Sequence, residues 1–520
     1  MPPFAKKWAA VLVELVVYLW CNAARLLFRL WFVWRRPQPL PAAKDDLLLR
    51  SAASLAAAIR EGEIKSVQLV SAYIRRIREV QPVISAAVEE RFEEALREAE
   101  EADQLVSSGD TSAYQLSRKK PLLGLPFSVK NSIAVKGMRH DAGSLVWHGR
   151  RAQEDAPSVA LLRQAGAIPL VLTNVPEMCT WGDAHNLVDG RTCNPHDTRR
   201  VPGGSSGGEC SLLASAGSLM GLGTDVAGSV RIPAAFCGIF GHKPTAGVVP
   251  NGGLFPDVAQ TLGERFCVGP LAKFSEDLAL LLKILAGGAA HRLKLDEQVD
   301  LKAVRVYFTE TEGSHCFSRV TAEVRRVVKK VVSRLREAHG MEVRRLHVPG
   351  LQYAFITWLK TNAAVSPIPL AEHFRPGGLN AFAELVRTLL GVGRHTLPAL
   401  FVSRMKLFRF SSRQEAEAYL ASVDRIRDRL EESLGEDGVL ILPVATSTAP
   451  YHGQDLFFSD SPSMTALFNI FKMPATACPV MKSKDGLPLG VQVVAKRGND
   501  RLCLAVAREI ERQFGGWLQP

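Results

Sequence analysis

Strand-like and helix-like patterns alternate along this chain, and that order predicts an α/β protein. Three observations carry the expectation. Short apolar runs bounded by Gly or Pro recur at Pro121–Lys130, Ile168–Leu172 and Asp437–Pro443. Helical stretches with one charged face lie between them, most clearly at Phe92–Val106 and Val320–His339. Midway, Gly203–Pro233 carries so much Gly and Ser, and so little bulk, that its backbone must approach something closely.

Bulk properties narrow the class further. The 520 residues are 47% hydrophobic, ample for a large core. The net charge of +12 would suit nucleic acid or an anionic membrane. No basic block interleaved with aromatics and no nucleic-acid motif is present, which argues against nucleic acid. The nine cysteines show no CxxC or Cys/His spacing. That argues against a disulfide framework and a metal site.

The N-terminus differs in kind. Trp8–Ala24 is mostly apolar and lies between Lys6-Lys7 and Arg25, Arg29, Arg35 and Arg36. It is just long enough to span a bilayer. Glu14 in its middle costs about 2–3 kcal/mol on insertion scales. Leu26–Trp34 alternates Arg with Leu, Phe and Trp, as an interfacial helix would. No small-residue cleavage site closes the run, so it is read as an anchor rather than a cleaved signal. The expectation is a single-pass transmembrane helix within residues 1–36, a Pro-rich linker at 37–46 and a catalytic domain at 47–520. The heavier positive flank leans toward a cytosolic domain without deciding the side.

Behind the linker, Ser66–Val80 is a helix for which Ser66 is the expected N-cap. Pro121–Lys130 is a strand ending on Lys130; Lys136 should be solvated. Cys210–Ala216 suits a tightly packed helix and Leu219–Gly223 a buried strand. Val304–Phe308 and Met341–Val348 are further strands. Leu379–Phe410 mixes Leu, Phe and Val with Arg387, Arg394, Arg404, Lys406 and Arg409. It fits either a cap dipping into lipid headgroups or a packed helical hairpin.

Three common Gly-rich loops can be tested against Gly203–Arg231. A phosphate loop needs Lys-Ser or Lys-Thr after its last glycine, and Glu209 follows Gly208. A dinucleotide fingerprint fails at Val226. A nucleophile elbow needs a preceding strand, and Asn194–Pro202 is a loop.

GGSSGGE at 203–209 followed by GLGTDVAGSVRIP at 221–233 resembles the core motif of the amidase-signature serine hydrolases over its full length and spacing. Likeness continues through IFGHKPTAGVVPN (Ile239–Asn251) to Phe514-Gly515-Gly516-Trp517, covering about Leu47–Trp517. Within the family it points to the membrane-anchored fatty-acid amide hydrolases. The resemblance implies a large mixed twisted sheet covered by helices on both faces. It implies Ser229 as nucleophile, Ser205 as a bridging serine in a cis peptide and Lys130 as base. The backbone N–H groups of Val226, Ala227, Gly228 and Ser229 would form the oxyanion hole. Ser206, Asp225 and Arg231 would support them. Lipid amides and a bilayer are the implied partners, a homodimer is admitted, and no cofactor or metal is called for. Two departures stand out: Cys210, where the family has a very small residue, and Ala227, where these hydrolases have Gly. His242 follows the motif, but as a structural residue, because the reactive set is already complete. Two alternatives remain open: a non-catalytic lipid binder of the same fold, and an amidase of soluble substrates.

Overall fold

The computed structural model describes residues 3–257, 263–310, 319–365, 374, 379–403, 410–457 and 461–520. Their centre is an eleven-stranded sheet. In chain order its strands are β1 (Ala87–Glu90), β2 (Pro126–Lys130), β3 (Ile168–Thr173), β4 (Met220–Asp225), β5 (Phe240–Lys243) and β6 (Cys267–Ala272). Then come β7 (Arg305–Phe308), β8 (Glu342–Arg345), β9 (Gly438–Pro443), β10 (Ala475–Lys482) and β11 (Pro488–Ala495). Their spatial order is β1-β3-β2-β4-β6-β5-β10-β11-β9-β7-β8. Pairing is mixed: β2 runs parallel to β3 and β4, β7 runs parallel to β8 and β9, and the middle is antiparallel.

Every residue of β2, β3, β4, β6 and β9 is buried. Successive strand residues face opposite sides, so burial of both sets requires cover on both faces. That explains runs such as IPLVLT and GVLILP, apolar without alternation. The cover comes from helices including α2 (Ser66–Ile84), α3 (Phe92–Ser107), α4 (Gly207–Ala214), α5 (Arg231–Cys237) and α6 (Ala322–His339). α7 (Ala381–Leu389) and α8 (Leu397–Ser403) form a hairpin, and α9 (Asp500–Phe514) packs on β10 and β11. The expected elements form close to their predicted limits.

Two expectations need correction. Ser66 is the first helical residue of α2 rather than its cap. Its hydroxyl donates to Gly124 O at 2.8 Å, and the Asp103 carboxylate, from α3, accepts from the Ser66 and Val67 N–H groups instead. A cap supplied from another helix leaves no local signature.

The second concerns the N-terminal helix, α1 within this chain (Pro3–Phe32). No helix among the described residues is long and apolar enough to cross a membrane. The transmembrane segment is therefore not found. Arg25 and Arg29 follow directly on the apolar run, and one side of α1 rests on protein: Cys21, Ala24 and Phe32 are buried. Phe32 stacks on Tyr451 with ring centroids 4.8 Å apart, and Trp20 Nε1 donates to Phe457 O at 3.0 Å. The opposite side shows Leu19, Leu26, Leu27, Leu30, Trp31 and Trp34 to solvent. The linker is tied down as well, Arg76 donating to Pro41 O at 2.7 Å.

The hairpin of α7 and α8 keeps its apolar face outside: Phe382, Leu389, Leu390, Val392 and Phe401 are exposed. Ala399, Leu400 and Val402 are buried, so the hairpin packs on the domain through α8 while those five side chains stay uncovered. Arg404, Lys406 and Arg409 fall outside the described residues.

Candidate active site

Lys130 is the last residue of β2, and Thr224 and Asp225 end the neighbouring parallel strand β4. Parallel register thus brings a strand-end lysine beside the two loops that leave the motif. Lys130 is fully buried, and its Nζ lies 2.7 Å from both Ser205 Oγ and Thr224 Oγ1. Burial lowers its pKa below that of a free lysine, although the charges of nearby Cys179, Asp225, Cys210 and Glu209 pull the other way.

Ser205 stands in the loop before α4, joined to Gly204 by a cis peptide. The Trp181 carbonyl oxygen approaches Gly204 so closely that a Cβ there would overlap it. Ser206 links the two loops through its N–H, which donates to Ser229 O at 3.2 Å; its hydroxyl donates to Thr224 O at 3.4 Å. Ser229 itself is half-buried in the loop between β4 and α5.

Asp225 shapes that loop. Its carboxylate accepts from the N–H groups of Gly228 (2.7 Å) and Val230 (3.1 Å). Arg231 grips both oxygens at 3.1 Å and also donates to Thr465 O, Gln492 Oε1 and Asn469 Oδ1. Burial alone would raise the Asp225 pKa, but the Arg231 charge and hydrogen bonds overcome it and hold the carboxyl ionised. Asp225 and Arg231 are thus bonded across the loop that carries Ser229.

One expected oxyanion donor is corrected. The Gly228 N–H is already committed to Asp225. Among the described residues, the N–H groups of Val226, Ala227 and Ser229 have no backbone or side-chain acceptor. The carbonyls beside them are held from outside: Trp358 Nε1 donates to Val226 O at 2.8 Å, and Thr465 Oγ1 donates to Ala227 O.

The two departures from the family pattern have different outcomes. Cys210 is fully buried in α4, in a small apolar cluster with Val201, Leu213 and Val230, and burial raises its pKa. It is packing. Ala227 is half-exposed at the loop itself. His242 is also structural. Its Nδ1 pairs with Thr476 Oγ1 (2.8 Å) and its Nε2 with Asp500 Oδ1 (3.1 Å), so both ring nitrogens are spent away from the serines. Lys136 is exposed, as expected.

Several residues of the site were not found by reading the sequence. Thr224 shares the lysine with Ser205. Glu209 is fully buried, accepting from Ser128 Oγ (2.6 Å) and Thr173 Oγ1 (2.7 Å), and burial pushes its pKa up to about 8. A carboxylate inside an otherwise small and apolar helix was the available signal. Asn469 and Gln492 lie in late stretches, Phe468-Asn469 and Gly486–Val493, that resemble the family's pattern but give no hint of a contact with Arg231; Thr465 and Trp358 come from far along the chain and carry no signal.

An amidase family profile matches residues 68–504. The chain belongs to the amidase family. Among curated proteins this amidase is 41% identical to fatty-acid amide hydrolase 2-A of Danio rerio over 489 residues, covering 92% of each chain. It is 38% identical to human fatty-acid amide hydrolase 2, covering 94% of this chain and 93% of the human one. A solved fatty acid amide hydrolase structure superposes with a TM-score of 0.75 at 22% identity, over 91% of this chain and 86% of that one; it speaks to the fold alone. The mixed sheet flanked by helices is thus the amidase-signature fold, and this amidase is an amide-hydrolysing enzyme.

Proposed function

We infer that this enzyme hydrolyses fatty-acid amides, N-acylethanolamines and primary fatty amides among them, through an acyl-enzyme on Ser229. The observation that carries the reading is the buried Lys130 held 2.7 Å from Ser205 Oγ, with Ser206 bonded across to the Ser229 peptide. Neutral Lys130 accepts a proton from Ser205, which accepts one from Ser229 Oγ as that oxygen attacks the amide carbon. The carbonyl oxygen becomes an oxyanion facing the N–H groups of Val226, Ala227 and Ser229. One such donor is worth about 2.7–4 kcal/mol to a transition state. The proton returns through Ser205 to the amine as the C–N bond breaks. Water then repeats the sequence in place of Ser229 and releases the acid.

The preference for lipid rests on two supports. The relatives at 38–41% identity are named as fatty-acid amide hydrolases. The exposed apolar faces of α1 and of the α7–α8 hairpin suit attachment to a membrane surface without spanning it.

Fluorophosphonate labelling tests the assignment. Wild type takes up one label, and Ser229→Ala loses both label and turnover while melting normally. Labelling that survives in Ser229→Ala and disappears in Ser206→Ala would sink it.

A further inference from the structure

From the catalytic lysine the chain leads directly to a second chemical environment. Cys179 lies close enough to act on the Lys130 charge, and the Trp181 carbonyl abuts Gly204, one residue from Ser205. Trp181 and Asp183 then form one wall of a cavity of about 320 Å³. Its other walls are the segment from Thr388 to Pro398 and the turn from Gly453 to Leu456. The first of these is pinned by Glu177, which pairs with His395 Nδ1 at 2.6 Å and accepts from Thr396 N at 2.7 Å.

Both oxygens of Asp455 and Trp181 Nε1 are buried in this cavity without a well-formed hydrogen bond; the indole N–H is the side-chain donor nearest the carboxyl, and no cation among the described residues pairs with it directly. Asp455 is only 6% exposed. A carboxyl so placed costs free energy unless something pairs with it. The nearby charges are already used. Asp183 takes His452 at 3.3 Å and Arg191 at 3.2 Å, and burial together with Asp183 lifts the Asp455 pKa well above the carboxylate range. Arg191 spends its Nε on Asp183 and keeps 42% of its side chain in solvent. The imidazoles of His185 and His395 complete the titratable set at the wall. Around Asp455 the lining is apolar, with Leu187, Leu397, Pro398, Leu456 and the indole of Trp181.

A buried carboxyl beside an aromatic ring and a hydrocarbon lining is matched by a primary ammonium on a short alkyl chain. We propose that this cavity binds a protonated alkylamine, Asp455 releasing its proton to solvent to become the counter-ion and Trp181 forming the aromatic wall. The amine has two sources, free amine from solution and amine released from an amide next door. Only the second rests on the hydrolase reading.

Calorimetry and thermal melting of the full-length protein with n-butylammonium chloride test the site, with n-butanol as the neutral control. Butylammonium binds wild type and raises its melting temperature, butanol does neither, and Asp455→Asn weakens binding at least tenfold. Asp455→Asn alone melts at or above wild type, because an unpaired buried carboxyl has been removed. Equal binding of butylammonium and butanol by wild type overturns the proposal without any variant. So does undiminished binding by Asp455→Asn. Turnover of an N-butyl fatty amide separates the sources. Inhibition by butylammonium that Asp455→Asn relieves marks a site on the path of released amine, and binding without inhibition marks a site for free amine. A chain that binds butylammonium but hydrolyses nothing disproves the hydrolase reading and leaves the cation site standing.

Discussion

Arg231 and Asp225 form a two-point contact at 3.1 Å with both side chains fully excluded from solvent. Such a pair adds little net stability over an apolar replacement, yet breaking it strands a charge in the interior. Here the pair also fixes the Gly228 and Val230 amides, and with them the turn that carries Ser229.

Arg231→Met therefore costs about 3–5 kcal/mol in urea unfolding and lowers turnover well beyond the fraction unfolded. Arg231→Lys is nearly as harmful, because one ammonium cannot reproduce the planar fork that meets Asp225, Gln492 and Asn469. Wild-type turnover by Arg231→Lys would show that the loop holds its shape without the fork.

On the proposed mechanism the pH profile follows Lys130. Burial lowers its pKa, so the neutral amine forms at a lower pH than in free lysine. In wild type, kcat/KM rises with pH along a limb centred below 10.5, the ordinary lysine value. Lys130→Ala loses that limb, and its residual rate climbs with hydroxide without a plateau. Near wild-type turnover in Lys130→Ala together with a dead His242→Ala would replace the lysine by a histidine mechanism.

Glu209 makes stability fall as pH rises. Its pKa is raised from 4.5 to about 8, so the folded chain holds a proton that the unfolded chain has released. The contribution is intact below 4.5 and is lost as pH climbs toward 8. Glu209→Gln removes this slope, at most about 1.4 kcal/mol per pH unit. Parallel stability–pH curves for the two proteins would show that the carboxyl is ionised throughout.

Removal of residues 1–36 uncovers Tyr451 and Phe457 and takes away the exposed Trp31 and Trp34. The truncated protein binds anionic vesicles less, and what remains is lost in high salt, because the α7–α8 hairpin still presents Phe382 and Leu389 beside Arg387 and Arg394. Co-sedimentation at two salt concentrations measures both effects. Truncated protein found wholly in the supernatant at low salt would leave the hairpin no part in membrane contact.

The α/β order, the strands, the Lys130 strand end and the long motif carrying Ser205 and Ser229 are all legible in the amino-acid sequence. Those features are local: strand runs, helical periodicity and Gly-rich turns are written in neighbouring residues. What depends on residues far apart emerges only in the folded chain. Asp103 caps the helix where Ser66 was expected to do so, Asp500 partners His242 across 258 positions, and Asp225 withdraws Gly228 from the oxyanion donors. The same holds for α1, whose apolar composition fits a bilayer as well as it fits Tyr451 and Phe457. Composition measures how much apolar surface a helix has, and only the folded domain settles which part of that surface meets protein.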